Sequence, residues 1–259
     1  SWNLVTIVPN SVFTVSAVGC GNGTIFPRIA ANMFTDLATN SNAQTQGTSV
    51  TYDATVPSVV SVTPSATIAN TSSITYQVVF SETVTGVVPA DFSSSNGTVA
   101  AVTGSGTTYT VTVNAMTEGT TALTVLAGSI ADSVGNMGPA ANVASVSTTI
   151  DLTAPRLLSF LPNPEYTSGQ VSYVFTFSEP VQSFAWGSAL NTGVGGGMTC
   201  TSSNLTANQN STVWTLNLSC SSGFYMATPI VNAFRDLAGN QGPATTGTPT
   251  YVYKSTANT

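Results

Sequence analysis

The chain is 259 residues long with 5% charged residues, against roughly 25% in an ordinary soluble domain, and its formal charge of −6 comes from ten acidic and four basic side chains. So few basic groups exclude nucleic acid and anionic membrane surfaces as partners, and no apolar run reaches the roughly 18 residues that a membrane span needs. The absence of histidine removes His-dependent triads and His metal sites, no phosphate-cradle or dinucleotide fingerprint is present, and the three cysteines lack metal spacing, so an enzyme is not expected.

Ser and Thr together number 75. A surface this poor in charge needs another source of solubility: attached sugar, burial in an assembly, or a neutral hydroxyl-rich face, all commoner outside cells. No secretory signal opens the sequence, as expected of a mature or excerpted chain.

In chain order, residues 1–52 read as strands at 3–8, 12–18, 24–31 and 47–52, with apolar faces through Phe13, Val15, Ile25, Ile29 and Phe34. Two phrases in this stretch return later. Asp36-Leu37-Ala38-Thr39-Asn40 recurs as Asp132-Ser133-Val134-Gly135-Asn136 and as Asp236-Leu237-Ala238-Gly239-Asn240. Tyr52-Asp53-Ala54-Thr55-Val56-Pro57 recurs as Ile150-Asp151-Leu152-Thr153-Ala154-Pro155, and more loosely as Tyr253-Lys254-Ser255-Thr256, which sets Lys254 in the aspartate's place. Self-similarity at a period near 100 residues means domains in a row, with boundaries at 1–52, 53–150 and 151–259.

Within 53–150, Ile74, Tyr76, Val78 and Phe80 alternate with Thr75, Gln77 and Val79, and Tyr109, Val111 and Val113 alternate with threonines, the pattern of half-buried strands. Asn96-Gly97 and Gly104-Ser105-Gly106 read as turns between strands. Within 151–259, Val171, Tyr173, Phe175 and Phe177 followed by Ser178-Glu179 match Ile74 to Phe80 followed by Ser81-Glu82, and Trp214, Leu216 and Leu218 match Tyr109, Val111 and Val113. Gly193 to Gly197 reads as a loop, since no helix follows it to make a phosphate site. Helical period is absent throughout, so the expected fold is all-β, a series of two-sheet sandwiches.

The run Tyr76 to Phe80, Ser81 to Gly86, Asp91-Phe92, Asn96 to Val99, Gly106 to Thr110, Asp132 to Asn136 and Asp151 to Pro155 resembles the tandem bacterial Ig-like domains of large surface and adhesin-type proteins. The third unit follows with Phe177 to Val181 and Asp236 to Asn240 but departs between Phe184 and Asn210, where the Asp-Phe pair is missing. The resemblance implies Ig-like sandwiches and a cell-surface setting, and no shared catalytic residue.

Counting back from Asp36, Cys20, Gly23, Asn32 and Phe34 fall opposite Cys220, Gly223, Asn232 and Phe234, so residues 1–52 read as the C-terminal half of a unit. The equivalents of strands 58–63 and 73–88 are missing from it. Half a sandwich exposes its core and raw strand edges, so the remainder is expected either from upstream residues of a longer array or from a neighbouring subunit that donates strands. Cys200 and Cys220 lie on runs that read as neighbouring strands, where a bridge closing a loop of about 20 residues contributes roughly 3 kcal/mol. Cys20 is the equivalent of Cys220, and its partner would precede residue 1; three buried free thiols are the alternative.

Seven of the ten acids occupy repeat-equivalent places. In an Ig-type sandwich the first strand leaves the pole to which the second returns, so Asp53, Glu82 and Asp132 are expected to converge at one junction, and Asp151, Glu179 and Asp236 at the next. Three hard oxygen ligands beside turn carbonyls suit Ca²⁺ at extracellular-grade affinity; without an ion, each Asp makes an Asx turn and each Glu ends a strand. Asn-x-Ser/Thr sequons at Asn22, Asn70, Asn96, Asn204, Asn210 and Asn217 offer N-glycosylation sites, although their number is about what composition alone gives. The sequence thus reads as an extracellular structural protein whose Ig-like repeats build a filament, stalk or surface appendage by self-association. The alternative is an adhesin arm whose loops bind a carbohydrate or a host protein.

Overall fold

A computed structural model describes residues 2–8, 12–114, 116–162, 170–182, 190–195, 200–220, 223–229, 234–242 and 250–254. The fold is all-β, with a single short 3-10 turn at Pro89–Asp91 among the described residues.

In unit 53–150 the chain is built around strand Ile74–Thr85, whose residues alternate between buried and solvent-facing from Ile74 to Phe80. Val59–Pro64 and Thr98–Asn114 flank it antiparallel, and the register sets Tyr109 opposite Val78 and Val111 opposite Tyr76. Ile130–Asp132 joins the far end of the same strand, so Asp132 pairs with Val84, two residues beyond Glu82. A second layer consists of Phe92–Ser94, Leu123–Val125 and Val143–Ala144, with Gly119–Thr121, Thr148–Ile150 and Ile68–Ala69 beside it. Between the layers Tyr76, Val78, Val111, Val113, Leu123 and Val125 are all fully inaccessible to solvent, forming one continuous apolar core.

The third unit repeats this arrangement. Gln170–Phe177 lies between Leu157–Pro162 and Val213–Cys220, with Trp214 opposite Phe175 and Leu216 opposite Tyr173, the same register as in the preceding unit. Its core is more aromatic: Phe160 stacks on Tyr173 and Phe175 at 5.0 and 4.6 Å, and Phe177 meets Phe234 edge-on at 4.6 Å. Phe234–Asp236 pairs with Val181–Gln182, which places Asp236 opposite Val181, again two residues beyond a glutamate.

Three details differ from the sequence reading. Gly104-Ser105-Gly106 does not end a strand: Thr98–Asn114 runs through it, with positive φ at both glycines and a shifted register at Gly106 and Thr108. Gly193 to Gly195 lies in strand Leu190–Gly195, paired with Phe224 to Met226, while Gly196 and Gly197 lie outside the described residues. The expected strand 24–31 is two short ones, Gly23–Ile25 and Arg28–Ile29, broken at Phe26-Pro27 because proline has no N–H for the ladder.

Among the described side chains, residues 12–52 form no core of their own. Trp2–Val8 pairs with Val12–Ala17, and Gly23–Ile25 with Val50–Tyr52, but Val15, Ile29, Phe34 and Val50 stay solvent-facing, Phe34 at 58% exposure. The side chain of Phe13 lies outside the described residues.

Candidate functional sites at the unit junctions

The register just described brings each acidic trio to one pole of its unit. One carboxylate oxygen from each of Asp53, Glu82 and Asp132 lies within 4.8 Å of the other two, and the same holds for Asp151, Glu179 and Asp236. In both trios the residue from the Asp-x-x-Gly-Asn turn is buried and the other two are half-buried. Among the described residues none of the six carboxylates forms an ion pair. Glu82 Oε1 is itself shut off from solvent and has no hydrogen-bond partner.

The turn aspartate is held by its own loop. Asp132 Oδ1 accepts the N–H groups of Val134, Gly135 and Asn136 at 2.7–2.9 Å, and Oδ2 accepts from Asn136 Nδ2 at 2.7 Å. Asp236 repeats this with Gly239, Asn240 and Asn240 Nδ2, and Asp36 with Ala38, Asn40 and Asn40 Nδ2. Positive φ at Gly135 and Gly239 lets the loop curl around the carboxylate, a conformation that suits glycine; Thr39 adopts it in the first copy. The Ser-Glu step is pinned as well: Ser81 Oγ accepts from Ser58 N–H and Ser178 Oγ from Arg156 N–H, each at 2.9 Å.

These surroundings move the carboxyl pKa values in opposite directions. Burial pushes Glu82 up, with the charges of Asp53 and Asp132 acting the same way. Burial also pushes Glu179 up, reinforced by Asp151, Asp236 and Glu118. Asp151 is raised by burial first, then by Asp236 and Glu118, against the Thr153 N–H. For Asp132 burial is outweighed by the Asn136 side chain and the loop N–H groups, so its carboxyl is lowered; Asn40 lowers Asp36 in the same way.

Several residues escaped the sequence reading. A Cβ on Gly138 would collide with the main-chain carbonyl of Pro57, and one on Gly242 with that of Pro155, so both glycines let the turn strand lie directly on the connector. The signal was available: the repeated phrase continues for two more residues into Gly138-Pro139 and Gly242-Pro243. Glu118 and Asn22, which precede Gly119 and Gly23, also reach the connectors; their shared mark is the glycine that follows. Glu118, Asp151, Arg156 and Glu179 line a hollow of about 450 Å³ at the second junction.

At the C-terminal end the register sets Lys254 opposite Gly223, the place taken by Tyr52 opposite Gly23 and by Ile150 opposite Gly119. The register therefore does not set Lys254 in the aspartate's place, and the residue after it lies outside the described residues. Cys200 lies directly opposite Cys220 in the ladder; their side chains lie outside the described residues, and Cys20 is a free, half-buried thiol. Among the sequons, Asn22 Nδ2 donates to Asp53 Oδ1 at 3.0 Å, Asn96 is tied to Thr117 through both its polar atoms, and Asn217 lies half-buried in strand Val213–Cys220 beside Ser172. Asn70 and Asn210 are exposed, and the side chain of Asn204 lies outside the described residues.

Residues 53–150 match the family model of the bacterial Ig-like domain. No curated protein sequence matches the chain. Among solved structures it is similar to invasin, a bacterial integrin-binding protein, at 14% identity and a TM-score of 0.35, over 84% of this chain and 52% of that one. It is also similar to InvD of Yersinia pseudotuberculosis, at 14% identity and a TM-score of 0.33, over 72% of this chain and 55% of that one. The chain thus spans about half the length of either. Among the described residues no helix is long and apolar enough to cross a membrane.

Proposed function

We propose that this chain is a structural segment of a bacterial cell-surface or extracellular protein, in which Ig-like units in series build a filament, stalk or appendage. The observation that carries this reading is the repeated wiring of the pole: the same trio of carboxylates, the same aspartate-centred turn and the same backbone contact of glycine on connector occur at 53–138 and at 151–242. A contact that recurs wherever one unit hands over to the next serves the series rather than a single ligand.

Each trio is proposed to hold Ca²⁺. Three converging carboxylates that form no ion pair among the described residues repel one another, and the enclosed Glu82 Oε1, without a hydrogen-bond partner, is a ligand atom that a hard cation would satisfy. Residues 1–52 are proposed to be completed by two strands of the kind formed by Val59–Pro64 and Ile74–Thr85, supplied upstream or by a second copy; the exposed Val15, Ile29, Phe34 and Val50 are the side chains those strands would cover. A Cys200–Cys220 bridge fits the register, and glycans fit the exposed Asn70 and Asn210.

Negative-stain electron microscopy of material from the native surface tests the function. Regular polymers are expected. Isolated arms that bind a host protein or a glycan would replace this reading with that of an adhesin.

A further inference from the structure

Each unit ends at an edge where a glycine pairs with the last strand: Gly23 with Tyr52, and Gly119 with Ile150. The residue before that glycine reaches over the connector into the next unit. Glu118 Oε1 accepts the Leu152 N–H at 2.7 Å and the Thr153 hydroxyl at 2.8 Å. Asn22 Oδ1 accepts the Ala54 N–H at 2.9 Å, and Asn22 Nδ2 donates to Asp53 Oδ1 at 3.0 Å and to Thr55 Oγ1. Ala54 and Leu152 each stand two residues beyond the glycine's partner, and Thr55 and Thr153 each stand three beyond it. The two sets of bonds are therefore the same device at successive junctions.

We propose that the residue before the edge glycine is a latch that fixes the direction in which the following unit leaves, with Asn22 as the latch of the first junction and Glu118 that of the second. This rests on the reading of the chain as units in series and not on a bound cation. The two latches differ in chemistry. The Asn22 amide both accepts and donates, so it grips the connector and orients the Asp53 carboxylate as well. The Glu118 carboxylate accepts only, and it adds a fourth negative charge beside Asp151, Glu179 and Asp236, with Arg156 lining the same hollow. In the third unit the same position, before Gly223, is held by Ser222, which lies outside the described residues.

Amide exchange followed residue by residue in the full chain tests the latch, together with residual dipolar couplings that report whether units 53–150 and 151–259 share one orientation. Glu118→Ala is expected to speed exchange at Leu152 about tenfold, leave Leu123 and Val125 unchanged, and decouple the two orientations. Glu118→Gln, whose amide oxygen accepts the same two bonds, is expected to restore all three readouts. Asn22→Ala is expected to act at Ala54 and not at Leu152. Unchanged exchange at Leu152 in Glu118→Ala, or acceleration of Leu123 and Val125 in step with it, would overturn the latch, the second outcome making Glu118 a support of its own unit only. Loss of polymers in the microscope with the latch intact would overturn the structural-segment reading and leave this one standing.

Discussion

The side chain of Asn136 donates to the main-chain carbonyl of Asp53 at 3.1 Å across 83 residues of sequence, and Asn240 bonds the carbonyl of Asp151 at 2.8 Å in the same way. One amide therefore ties three things together: its own turn, the turn's aspartate and the connector. Asn136→Ala removes the bond to Asp132 Oδ2 and the bond to the connector at once. It is expected to lower stability by about 1–2 kcal/mol in urea titration of the full chain, and no change would show that the connector is held by other contacts.

The shifted carboxyl groups make the stability of the fold depend on pH. Glu82, Asp151 and Glu179 are raised, so the folded chain binds those protons more tightly than the unfolded chain; the stability they contribute is present at low pH and lost as pH rises through the raised values. Asp36 and Asp132 are lowered and act in the opposite sense, losing their contribution only as pH falls below the ordinary aspartate value of 3.8. With EDTA present, the melting temperature is expected to fall as pH is raised from the ordinary glutamate value of 4.5 to neutrality. If the trios hold calcium as proposed, the ion at about a hundred times its dissociation constant is expected to add about 2.7 kcal/mol per site and to flatten or reverse that slope, because protons compete for its ligands. Melting curves that are flat with pH in EDTA and indifferent to calcium would leave the carboxylates as Asx turns and strand ends.

Gly138→Ala drives a methyl group into the carbonyl of Pro57. The expected cost is about 1–3 kcal/mol, against almost none for Gly21→Ala, where no atom lies within 4 Å of the added carbon. Equal effects at the two positions, measured in the full chain by chemical denaturation, would mean that the turn does not rest on the connector.

Cys200 and Cys220 face each other in the ladder. Peptide mapping without reductant is expected to recover them joined, and the double substitution Cys200→Ser, Cys220→Ser to cost about 3 kcal/mol. Recovery of both as free thiols would remove the bridge.

The strands and the acidic trios were legible because both depend on short-range patterns. Alternation from Ile74 to Phe80 gives a half-buried strand wherever it occurs, and a phrase repeated near 100 residues later returns its carboxylates to the same pole. Glu118 was not legible. It has no partner phrase of its own, being one of the three acids outside the repeated places, and its counterpart Asn22 is a different residue type that reads first as a sequon. The glycine runs misled for a related reason: Gly104 and Gly106 take positive φ without leaving the ladder, and Gly193 to Gly195 pairs as a strand, so glycine marked tolerance of a backbone shape and not the end of an element.

The last strand of unit 53–150 runs parallel to Ile68–Ala69, with Thr149 N–H on Thr67 and Asp151 N–H on Ala69, both at 2.9 Å. When the chain is pulled by its ends, force enters at Asp53 and leaves beyond Ile150, so the two strands are dragged lengthwise in opposite directions. Their hydrogen bonds then bear the load together and must rupture at once, whereas an antiparallel pair pulled from one end peels open a bond at a time. Unit 53–150 is therefore expected to hold until this patch shears, and stretching a single molecule would register that as one sharp force peak.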